Sequence, residues 1–258
     1  MKDKKEIIGI IPVRYESSRF PGKPLADICG KPMVQRVYER SCQASMLSTV
    51  LVATDDVRIF KIVESFGGEA VMTPKAIPSG SDRVAFVAKG QNADIVVNIQ
   101  GDEPFIEPQE IDSVAQILLN DESAMMGTLV KRITRVEELT NPNTAKVVID
   151  SNGYALYFSR SPIPNCRDSI DSSKWIQNHV YYKHVGIYSY RKSFLMDYCQ
   201  WEPTPLETIE KLEQLRALEQ GVKIKVAETS TEPVCVDTPE DLERVRQMVC
   251  EELGSQKM

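Results

Sequence analysis

The chain has 258 residues, of which 42% are hydrophobic and 26% charged, a composition typical of a soluble globular protein with a sizeable core. Its formal net charge of -6 and its pI of about 5.2 argue against general nucleic-acid binding, which needs a basic face. No apolar run is long enough to span a membrane, and the first apolar run meets Arg14 without a cleavage site. We therefore expect a cytoplasmic protein whose six cysteines are free thiols.

Hydrophobic periodicity predicts alternating strands and helices in the first half of the chain. Apolar, β-branched runs at 7–13, 50–54, 70–73 and 95–101 indicate strands. The segments between them predict amphipathic helices, namely KPMVQRVYERSCQ, VRIFKIVESFG, SDRVAFVAKG and PQEIDSVAQILLN. This order is typical of βαβ units, in which a mostly parallel sheet is covered by helices on both faces.

The second half of the chain is less regular. Strands and loops are indicated at 146–150, 152–164 and 184–194, and a further strand at 223–229. These segments suggest an insertion-like region from about 125 to 205 within a single α/β domain that spans residues 1–258.

Two helices are predicted near the end of the chain. PLETIEKLEQLRALEQG (205–221) predicts one continuous helix that ends at Gly221, because five apolar side chains share one face. Those side chains are Leu206, Ile209, Leu212, Leu215 and Leu218. TPEDLERVRQMVCEEL (238–253) predicts a second helix with Thr238 as its N-cap and Pro239 at its first position.

The stretch RYESSRFPGKPL follows the first predicted strand and carries three cations, Arg14, Arg19 and Lys23. Ligands of open parallel sheets bind beyond the carboxyl ends of the strands, and Gly22 permits a close backbone approach. The stretch lacks the glycine spacing of a P-loop or a dinucleotide fingerprint. The pattern favours either a polyphosphate-binding loop or a solvated basic loop.

Two aspartates follow short apolar strands. Asp102 stands in VVNIQGDEP, and Asp237 follows EPVCV. Carboxylates at the carboxyl ends of parallel strands can hold Mg²⁺, which prefers oxygen ligands and accompanies phosphates. The alternative is that each aspartate caps the helix or turn that follows it.

The turn IPSGSDR precedes a predicted helix and can present backbone groups to a flat base edge. Farther along the chain, polar residues that could contact a ligand accompany apolar segments. They are Arg160, His184, Tyr188, Glu213 and Gln214. Each of these residues taken alone would usually be structural.

These motifs occur in order from about residue 7 to residue 248. Taken together, they make the chain resemble the 3-deoxy-manno-octulosonate (Kdo) cytidylyltransferases, or CMP-Kdo synthetases. The resemblance rests on PVRYESSRFPGKPL, ATDD, SGSDR, NIQGDEP, LYFSRSPIP, KHVGIYSYR, LEQLRALE and VDTPEDL. It implies a Rossmann-like nucleotidyltransferase fold, usually a homodimer. It also implies the Mg²⁺-dependent reaction of CTP with Kdo to give CMP-Kdo and diphosphate, a step that activates Kdo for lipopolysaccharide biosynthesis.

The resemblance also implies roles for individual residues. The positions that match nucleotide-binding residues are Arg14, Ser17, Lys23, Ser79, Gly80, Ser81, Arg83 and Gln100. Arg14 and Lys23, together with the metal-binding pair Asp102 and Asp237, match the catalytic residues. The sugar-acid pocket matches Arg160, His184, Tyr188, Glu213 and Gln214. The chain departs from the family pattern at Ile77, where the family often has histidine, and at Ser81, where it often has threonine.

Three other readings of the sequence stay open. One is a cytidylyltransferase for a related acid sugar, such as 8-amino Kdo or a sialic acid. Another is a nucleotide-binding regulator without catalysis, although such a protein would not need Lys23 and both aspartates together. A glycosyltransferase of similar topology is disfavoured, because GDEP lacks an Asp-x-Asp metal motif.

Overall fold

The structure is a computed structural model that describes residues 5–16, 20–168, 171 and 174–255. Its contacts group the chain into two compact units. The first unit consists of Met1–Asp112 and Pro233–Met258, and the second is Ser113–Glu232. The organisation into one domain with an insertion stays a prediction.

The elements of the first part of the chain alternate as the periodicity predicts, and a single 3₁₀ turn at Lys23–Leu25 precedes the first hairpin. They are β1 (Ile7–Val13), β2 (Asp27–Ile28), β3 (Lys31–Pro32), α1 (Met33–Ser41), β4 (Thr49–Thr54), α2 (Val57–Ser65), β5 (Ala70–Met72), α3 (Gly80–Lys89), β6 (Ile95–Asn98) and α4 (Pro108–Asn120).

The remaining elements include more short helices than the sequence indicates. They are β7 (Met126–Arg132), α5 (Val136–Thr140), β8 (Lys146–Ile149), β9 (Ala155–Ser159), α6 (Trp175–Asn178), β10 (Tyr182–Arg191), α7 (Lys192–Tyr198), α8 (Pro205–Glu210), α9 (Leu215–Glu219), β11 (Ile224–Glu228) and α10 (Pro239–Ser255).

The first unit is built on four parallel strands in the order β6, β1, β4, β5. In β1, Ile10 pairs with Leu51 on one side and with Asn98 on the other. Six of the seven β1 residues are buried, as expected for a strand covered on both faces. The predicted α/β class with a largely parallel sheet is confirmed.

The hairpin β2–β3 and the helix α10 form a second packing layer in the first unit. Ile28 and Met33 pack with Val236, Val245 and another two apolar residues of α10 in one buried cluster. This contact brings the carboxyl-terminal helix against a hairpin formed by residues 27–32. The segment before α10, which carries Asp237, is therefore held within the first unit.

The second unit contains a mixed sheet. Strand β7 pairs in parallel with β11 and antiparallel with β10, and β8 pairs antiparallel with both β10 and β9. The strand β7 is absent from the sequence prediction. It is a mostly buried strand whose inner residues include Thr128 and Leu129.

The prediction of one continuous helix over 205–221 is wrong, because the helix breaks after Glu210. Lys211 adopts a left-handed conformation with φ 54°. Arg160 Nε donates to the carbonyl oxygen of Glu210 at 2.7 Å, and Arg160 Nη2 donates to that of Lys211 at 3.1 Å. These bonds occupy acceptors that a continuous helix would use. As a result, Ile209 is 78% exposed whereas Leu215 is fully buried.

Across the ranges that the structure describes, no helix combines the length and the apolar character that a membrane crossing requires.

Candidate active site

An ion-pair cluster in the first unit joins three of the predicted residues. Lys23 Nζ lies 2.8 Å from Asp102 Oδ2 and 3.5 Å from Asp237 Oδ1. It also donates to the carbonyl oxygen of Val236 at 2.8 Å. The Lys23 side chain is only 13% exposed, whereas those of Asp102 and Asp237 are 30% and 41% exposed. The fold thus brings together two aspartates that lie far apart in the sequence, and one ammonium group lies within 3.5 Å of both carboxylates.

Close backbone packing places Asp102 at the end of β1. A Cβ atom on Gly101 would lie 2.4 Å from Val13 Cγ1, which no side-chain-bearing residue tolerates without a shift. Beyond Gly101, the amide of Val236 donates to the carbonyl oxygen of Asp102 at 2.9 Å. This bond ties the segment that carries Asp237 directly to the segment that carries Asp102.

The start of α10 orients Asp237. The backbone amides of Asp237 and Thr238 both donate to Asp241 Oδ2 at 3.1 Å. In return, the Asp241 amide donates to Thr238 Oγ1 at 3.2 Å, a reciprocal capping arrangement. The predicted N-cap role of Thr238 is confirmed. The capping carboxylate is that of Asp241, which leaves the Asp237 carboxylate directed to Lys23.

Behind this cluster lies a buried acid, Glu103, which is 4% exposed. Burial and the neighbouring charge of Asp102 raise the pKa of Glu103 to about 7. Its Oε1 accepts a hydrogen bond from Cys235 Sγ at 3.5 Å. Glu103 and Cys235 therefore form another contact between the two segments that carry the aspartates.

The loop that carries Lys23 is more regular than the sequence predicts. Gly22 has φ 76°, and its amide donates to the carbonyl oxygen of Tyr15 at 2.8 Å. The Leu25 amide then donates to the Gly22 carbonyl at 2.9 Å, which closes a 3₁₀ turn. Because a glycine supplies the left-handed residue, the chain can turn sharply enough to direct Lys23 back toward Asp102.

Arg14 lines a cavity of about 130 Å³ in the first unit. The cavity wall consists of Arg14, Tyr15, Glu16, Asp55, Asp56 and Lys75. Arg14 Nη2 donates to the carbonyl oxygen of Ile77 at 2.5 Å, so this side chain joins the end of β1 to the segment before α3. The cavity lies at the carboxyl ends of β1 and β4, the edge at which ligands of parallel sheets bind.

The predicted base turn forms the N-terminus of α3. Ser79 caps the helix: its Oγ accepts from the Asp82 amide at 3.0 Å and donates to Asp82 Oδ2 at 2.7 Å. Ser81 is buried. Gly80 lies near Pro12, and a Cβ atom added to Gly80 would lie 3.7 Å from Pro12 Cγ. The side chains of this turn are thus occupied by the helix cap, and its backbone amides are the groups suited to a ligand.

Arg83 makes buried polar contacts within the first unit, and its nucleotide-binding role stays a prediction. Its side chain is fully buried, and its Nη2 lies 2.8 Å from Asp55 Oδ2. Its Nη1 donates to Thr73 Oγ1. This geometry leaves its side chain turned away from solvent. The remaining nucleotide-binding candidates are Gln100, a partly buried residue after β6, and Ser17, which lies outside the described residues. Their roles stay predictions.

In the second unit, His184 lies beside one residue of the predicted sugar cluster, Tyr188, and beside Thr128, which the sequence did not indicate. His184 Nε2 lies 2.9 Å from Thr128 Oγ1. The Thr128 hydroxyl donates its one proton to the carbonyl oxygen of Ile187 at 2.7 Å, so it accepts from His184 Nε2–H. Nδ1 is therefore the acceptor nitrogen. Burial lowers the pKa of His184 to about 4, and the imidazole is neutral at pH 7.

Tyr188 and Gln214 form a polar contact next to His184. The His184 and Tyr188 rings have centroids 5.3 Å apart. Tyr188 Oη donates to Gln214 Oε1 at 3.2 Å. Gln214 is 3% exposed, and within the described part of the chain its Nε2 has no hydrogen-bond partner. A buried amide N–H without an acceptor is unfavourable, so a ligand oxygen at this position would stabilise the site.

Glu213 and Arg160 complete the predicted sugar cluster, and both make structural contacts. Tyr198 Oη donates to the carbonyl oxygen of Glu213 at 2.8 Å. Arg160 donates to the carbonyl oxygens of Glu210 and Lys211, as described above, and its Nη1 donates to that of Pro142 at 3.2 Å. Arg160 thus holds the break between α8 and α9, which positions Gln214.

The Asp102 and Asp237 pair fits a magnesium ion. Both donors are carboxylate oxygens, and a cation, the Lys23 ammonium, is already stabilised between them. In the ranges given above, no three residues of the types His, Cys, Asp or Glu group as metal ligands. Two carboxylates suffice for Mg²⁺ when phosphate oxygens and water complete its shell.

Several residues that hold the site residues in place are absent from the sequence predictions. Asp55 pairs with Arg83, Thr128 orients His184, and Glu210 accepts from Ser159 Oγ at 2.7 Å and from the Arg160 amide at 2.9 Å. Asp55 could have been found, because it follows β4 at the carboxyl edge of the sheet. Thr128 and Glu210 carry no local signal, since their partners are distant in the sequence.

Comparison with known proteins agrees with this geometry. A family model described as cytidylyltransferase matches residues 8–224. The 3-deoxy-manno-octulosonate cytidylyltransferase of Geotalea uraniireducens (strain Rf4) is 54% identical over 244 residues, which cover 93% of this chain and 97% of the relative. The enzyme of the same name from Geobacter sulfurreducens is 53% identical over 243 residues, again covering 93% and 97%.

A solved structure of CMP:2-keto-3-deoxy-manno-octonic acid synthetase complexed with CTP is also similar. It superposes with a TM-score of 0.90 and 43% identity, covering 96% of this chain and 99% of that one. The chain belongs to the cytidylyltransferase family, among the 3-deoxy-manno-octulosonate cytidylyltransferases.

Proposed function

We propose that this protein transfers the cytidylyl group of CTP to Kdo, giving CMP-Kdo and diphosphate. The observation that carries the proposal is the cluster of Lys23, Asp102 and Asp237 at the carboxyl edge of a parallel sheet. Phosphoryl transfer depends on positioning and charge neutralisation more than on covalent catalysis. A lysine and two carboxylates supply both a cation for the phosphates and oxygen ligands for a metal.

Asp102 and Asp237 would hold Mg²⁺, which, when bound, neutralises phosphate charge and lowers the pKa of a bound hydroxyl group. Lys23 keeps the two carboxylates together when they carry no other cation. In the complex with CTP, the Lys23 ammonium would supply a positive charge to the oxygens of the triphosphate. We assign no side chain of the cluster as a general base, and Asp102 and Asp237 would act through charge.

For the nucleotide, Arg14 lies at the end of β1 beside the 130 Å³ cavity and would neutralise phosphate oxygens. The backbone amides at Gly80 and Ser81 would donate to the pyrimidine, because the first amides of a helix have no partner within it. Arg83 supports this turn from within the core through Asp55. A pocket built on a short turn accommodates a pyrimidine better than a purine, so we expect CTP to be preferred over ATP and GTP.

For the sugar acid, His184 and Gln214 present complementary groups. The neutral imidazole offers Nδ1 as an acceptor for a sugar hydroxyl, and Gln214 Nε2 offers a buried donor for a hydroxyl or carboxylate oxygen. Arg160 retains donor capacity beyond its backbone contacts and would face the Kdo carboxylate. Tyr188 and Glu213 would complete the pocket. An acid sugar with several hydroxyl groups suits this mixture of donors and acceptors.

We further propose a homodimer whose product enters lipopolysaccharide biosynthesis in the cytoplasm. Support for association comes from exposed apolar side chains of the second unit. Leu156 on β9 is 59% exposed, and Ile209 on α8 is 78% exposed. A contact between two copies of the chain that covered these side chains would remove their apolar surface from water. Sedimentation of the purified protein would measure the association.

The function is tested by diphosphate release from CTP in the presence of Mg²⁺ and a panel of acid sugars. We expect rapid release with Kdo and much slower release with 8-amino Kdo or a sialic acid. Comparable turnover with another acid sugar would assign a different substrate. CTP binding without diphosphate release for any sugar would instead support a regulator.

A further inference from the structure

Two thiols from opposite ends of the chain meet in the first unit. Cys29 Sγ and Cys250 Sγ lie 3.1 Å apart, although 221 residues separate them. Cys29 Sγ also lies 3.5 Å from the carbonyl oxygen of Arg246, one turn earlier on α10. Cys250 is exposed and Cys29 is half-buried. A disulfide has a sulfur–sulfur length of about 2.0 Å, so a movement of roughly 1 Å would allow the bond.

The backbone at Cys29 is unusual for a cysteine. Cys29 and Gly30 form the two-residue turn between β2 and β3, and their φ angles are 47° and 83°. Two positive φ angles define a type I′ turn, for which asparagine, aspartate or glycine is preferred at the first position. The turn itself therefore does not explain a cysteine at this position. An outlier held by its surroundings points to a role for the side chain.

The surroundings do hold the turn in place. Arg36 Nε donates to the carbonyl oxygen of Ile28 at 2.8 Å, and Arg36 Nη2 lies 3.3 Å from that of Cys29. Arg246 Nε donates to the carbonyl oxygen of Asp27 at 2.9 Å, which joins α10 to the hairpin again. The two thiols are therefore presented to each other by fixed backbone segments.

We propose that Cys29 and Cys250 are a thiol–disulfide exchange site that takes a low-molecular-weight disulfide as its reactant. The exposed Cys250 thiolate attacks the small disulfide, forms a mixed disulfide and releases one small thiol. The Cys29 thiolate then attacks Cys250 Sγ and releases the second small thiol. The protein loses two protons and two electrons, and the small disulfide is reduced to two thiols.

The bond fastens α10 to the β2–β3 hairpin. Both elements continue into the active-site cluster, since Lys23 precedes β2 and Asp237 precedes α10. A crosslink over so long a loop restricts the unfolded chain strongly, so the oxidised form is the more stable one. The apolar cluster of Ile28 with Val245 and Val249 brings the two thiols together.

The test uses the reduced, full-length protein and excess oxidised glutathione, followed by alkylation under denaturing conditions and intact mass measurement. We expect four of the six cysteines to be alkylated, no retained glutathione, and a linked peptide pair containing Cys29 and Cys250. The melting temperature should rise by roughly 5–10 °C and return when dithiothreitol is added.

Cys29→Ser and Cys250→Ser should each abolish the bond and the shift, and each should retain glutathione at the remaining thiol to a greater extent than the parent. Cys42→Ser, which changes another exposed cysteine, should leave the Cys29–Cys250 bond and the thermal shift unchanged. Six alkylated cysteines after oxidation, or a bond between other cysteines, would overturn the proposal. A Cys29–Cys250 bond without a thermal shift would overturn the fastening of α10.

Discussion

Lys23 and Asp102 form an ion pair of 2.8 Å across 79 residues of sequence. The pair exists because Gly22 turns the first loop inward while Gly101 lets the strand end of β6 approach β1. Asp237 reaches the same ammonium at 3.5 Å. The segments that carry Asp102 and Asp237, which are distant in the sequence, are thereby joined through the ammonium group of Lys23.

Replacement of Lys23 tests whether its charge acts in catalysis. We expect Lys23→Ala to lower kcat by roughly 10²–10³-fold, the typical loss for a charge-stabilising group. Because the side chain is largely buried between two carboxylates, the variant should also melt at a lower temperature without Mg²⁺. Added Mg²⁺ should restore more stability to the variant than to the parent, since it meets no competing ammonium.

The matched control is Lys31→Ala, which removes an exposed lysine paired with Glu39 at 2.6 Å. An exposed ion pair contributes little, so this variant should keep its activity and lose less than about 1 kcal/mol of unfolding free energy. Full activity of Lys23→Ala would assign Lys23 a structural role alone.

Gly101 tests whether close backbone approach positions Asp102. In Gly101→Ala, the new Cβ would meet Val13 Cγ1 at 2.4 Å and the Pro12 carbonyl oxygen at 3.1 Å. Overpacking of this kind typically costs about 1–3 kcal/mol, and the displacement of Asp102 should reduce kcat as well. Gly90→Ala, at the end of α3 and outside the proposed site, is the control, because its nearest neighbour lies 3.8 Å away. Urea unfolding measures the loss of stability, and initial rates measure the loss of kcat. Equal stability and equal kcat in the two variants would show that the close approach at Gly101 does not position Asp102.

His184 predicts a pH dependence of stability. Its pKa is about 4 in the folded protein, because of burial, against an ordinary value of 6.5. Between these two pH values the unfolded chain binds a proton that the folded chain does not, so stability falls as the pH decreases from 6.5 to 4. At pH 5 this loss amounts to about 2 kcal/mol.

Urea unfolding at pH 7.5 and pH 5 measures this contribution. The decrease in unfolding free energy should be smaller by about 2 kcal/mol in His184→Gln than in the parent. His179→Gln changes the only other histidine of the chain, which is exposed, and should leave the decrease as it is in the parent. An identical decrease in all three proteins would mean that His184 titrates normally.

Gln214 tests the sugar pocket. Gln214→Met keeps the side-chain volume but removes the buried donor Nε2 that lacks a partner. We expect the KM for Kdo to rise roughly 10–100-fold, the range for a lost hydrogen bond to a charged or polar ligand group, while the KM for CTP stays within about twofold. Gln220→Met, on the exposed end of the same segment, is the control. A parallel rise in both KM values would place Gln214 outside the sugar site.

The parallel core was predictable because its signals are local. Strand β1 matches its predicted limits of 7–13, and α10 begins at Pro239 after the predicted cap Thr238.

The aspartate pair was predictable only in part. Asp102 follows β6 at the carboxyl edge of the parallel sheet, as predicted. The predicted strand before Asp237 is wrong, because residues 231–237 form no strand. That segment is held instead by the bond from the Val236 amide to the Asp102 carbonyl oxygen, which the sequence does not signal.

The break at Lys211 was not predictable from the sequence. The leucine pattern of 205–221 is helical throughout, and no glycine or proline interrupts it. The break depends on Arg160, about fifty residues earlier, whose guanidinium takes the carbonyl oxygens of Glu210 and Lys211. The burial of Arg83 was also not predictable, because its partner Asp55 lies 28 residues earlier, directly after β4.

The role of the aspartate pair in catalysis is tested most directly by the rate of CMP-Kdo formation by Asp102→Asn at saturating CTP, Kdo and Mg²⁺. The substitution keeps the shape of the side chain and removes its charge. We expect a near-complete loss of synthesis, with CTP still bound and a melting temperature without metal somewhat below that of the parent, because Lys23 loses its charged partner at 2.8 Å. Asp237→Asn should behave in the same way, and the double variant should be little worse than either, because the pair acts as a unit. Normal turnover by Asp102→Asn would show that catalysis does not depend on the charge of Asp102.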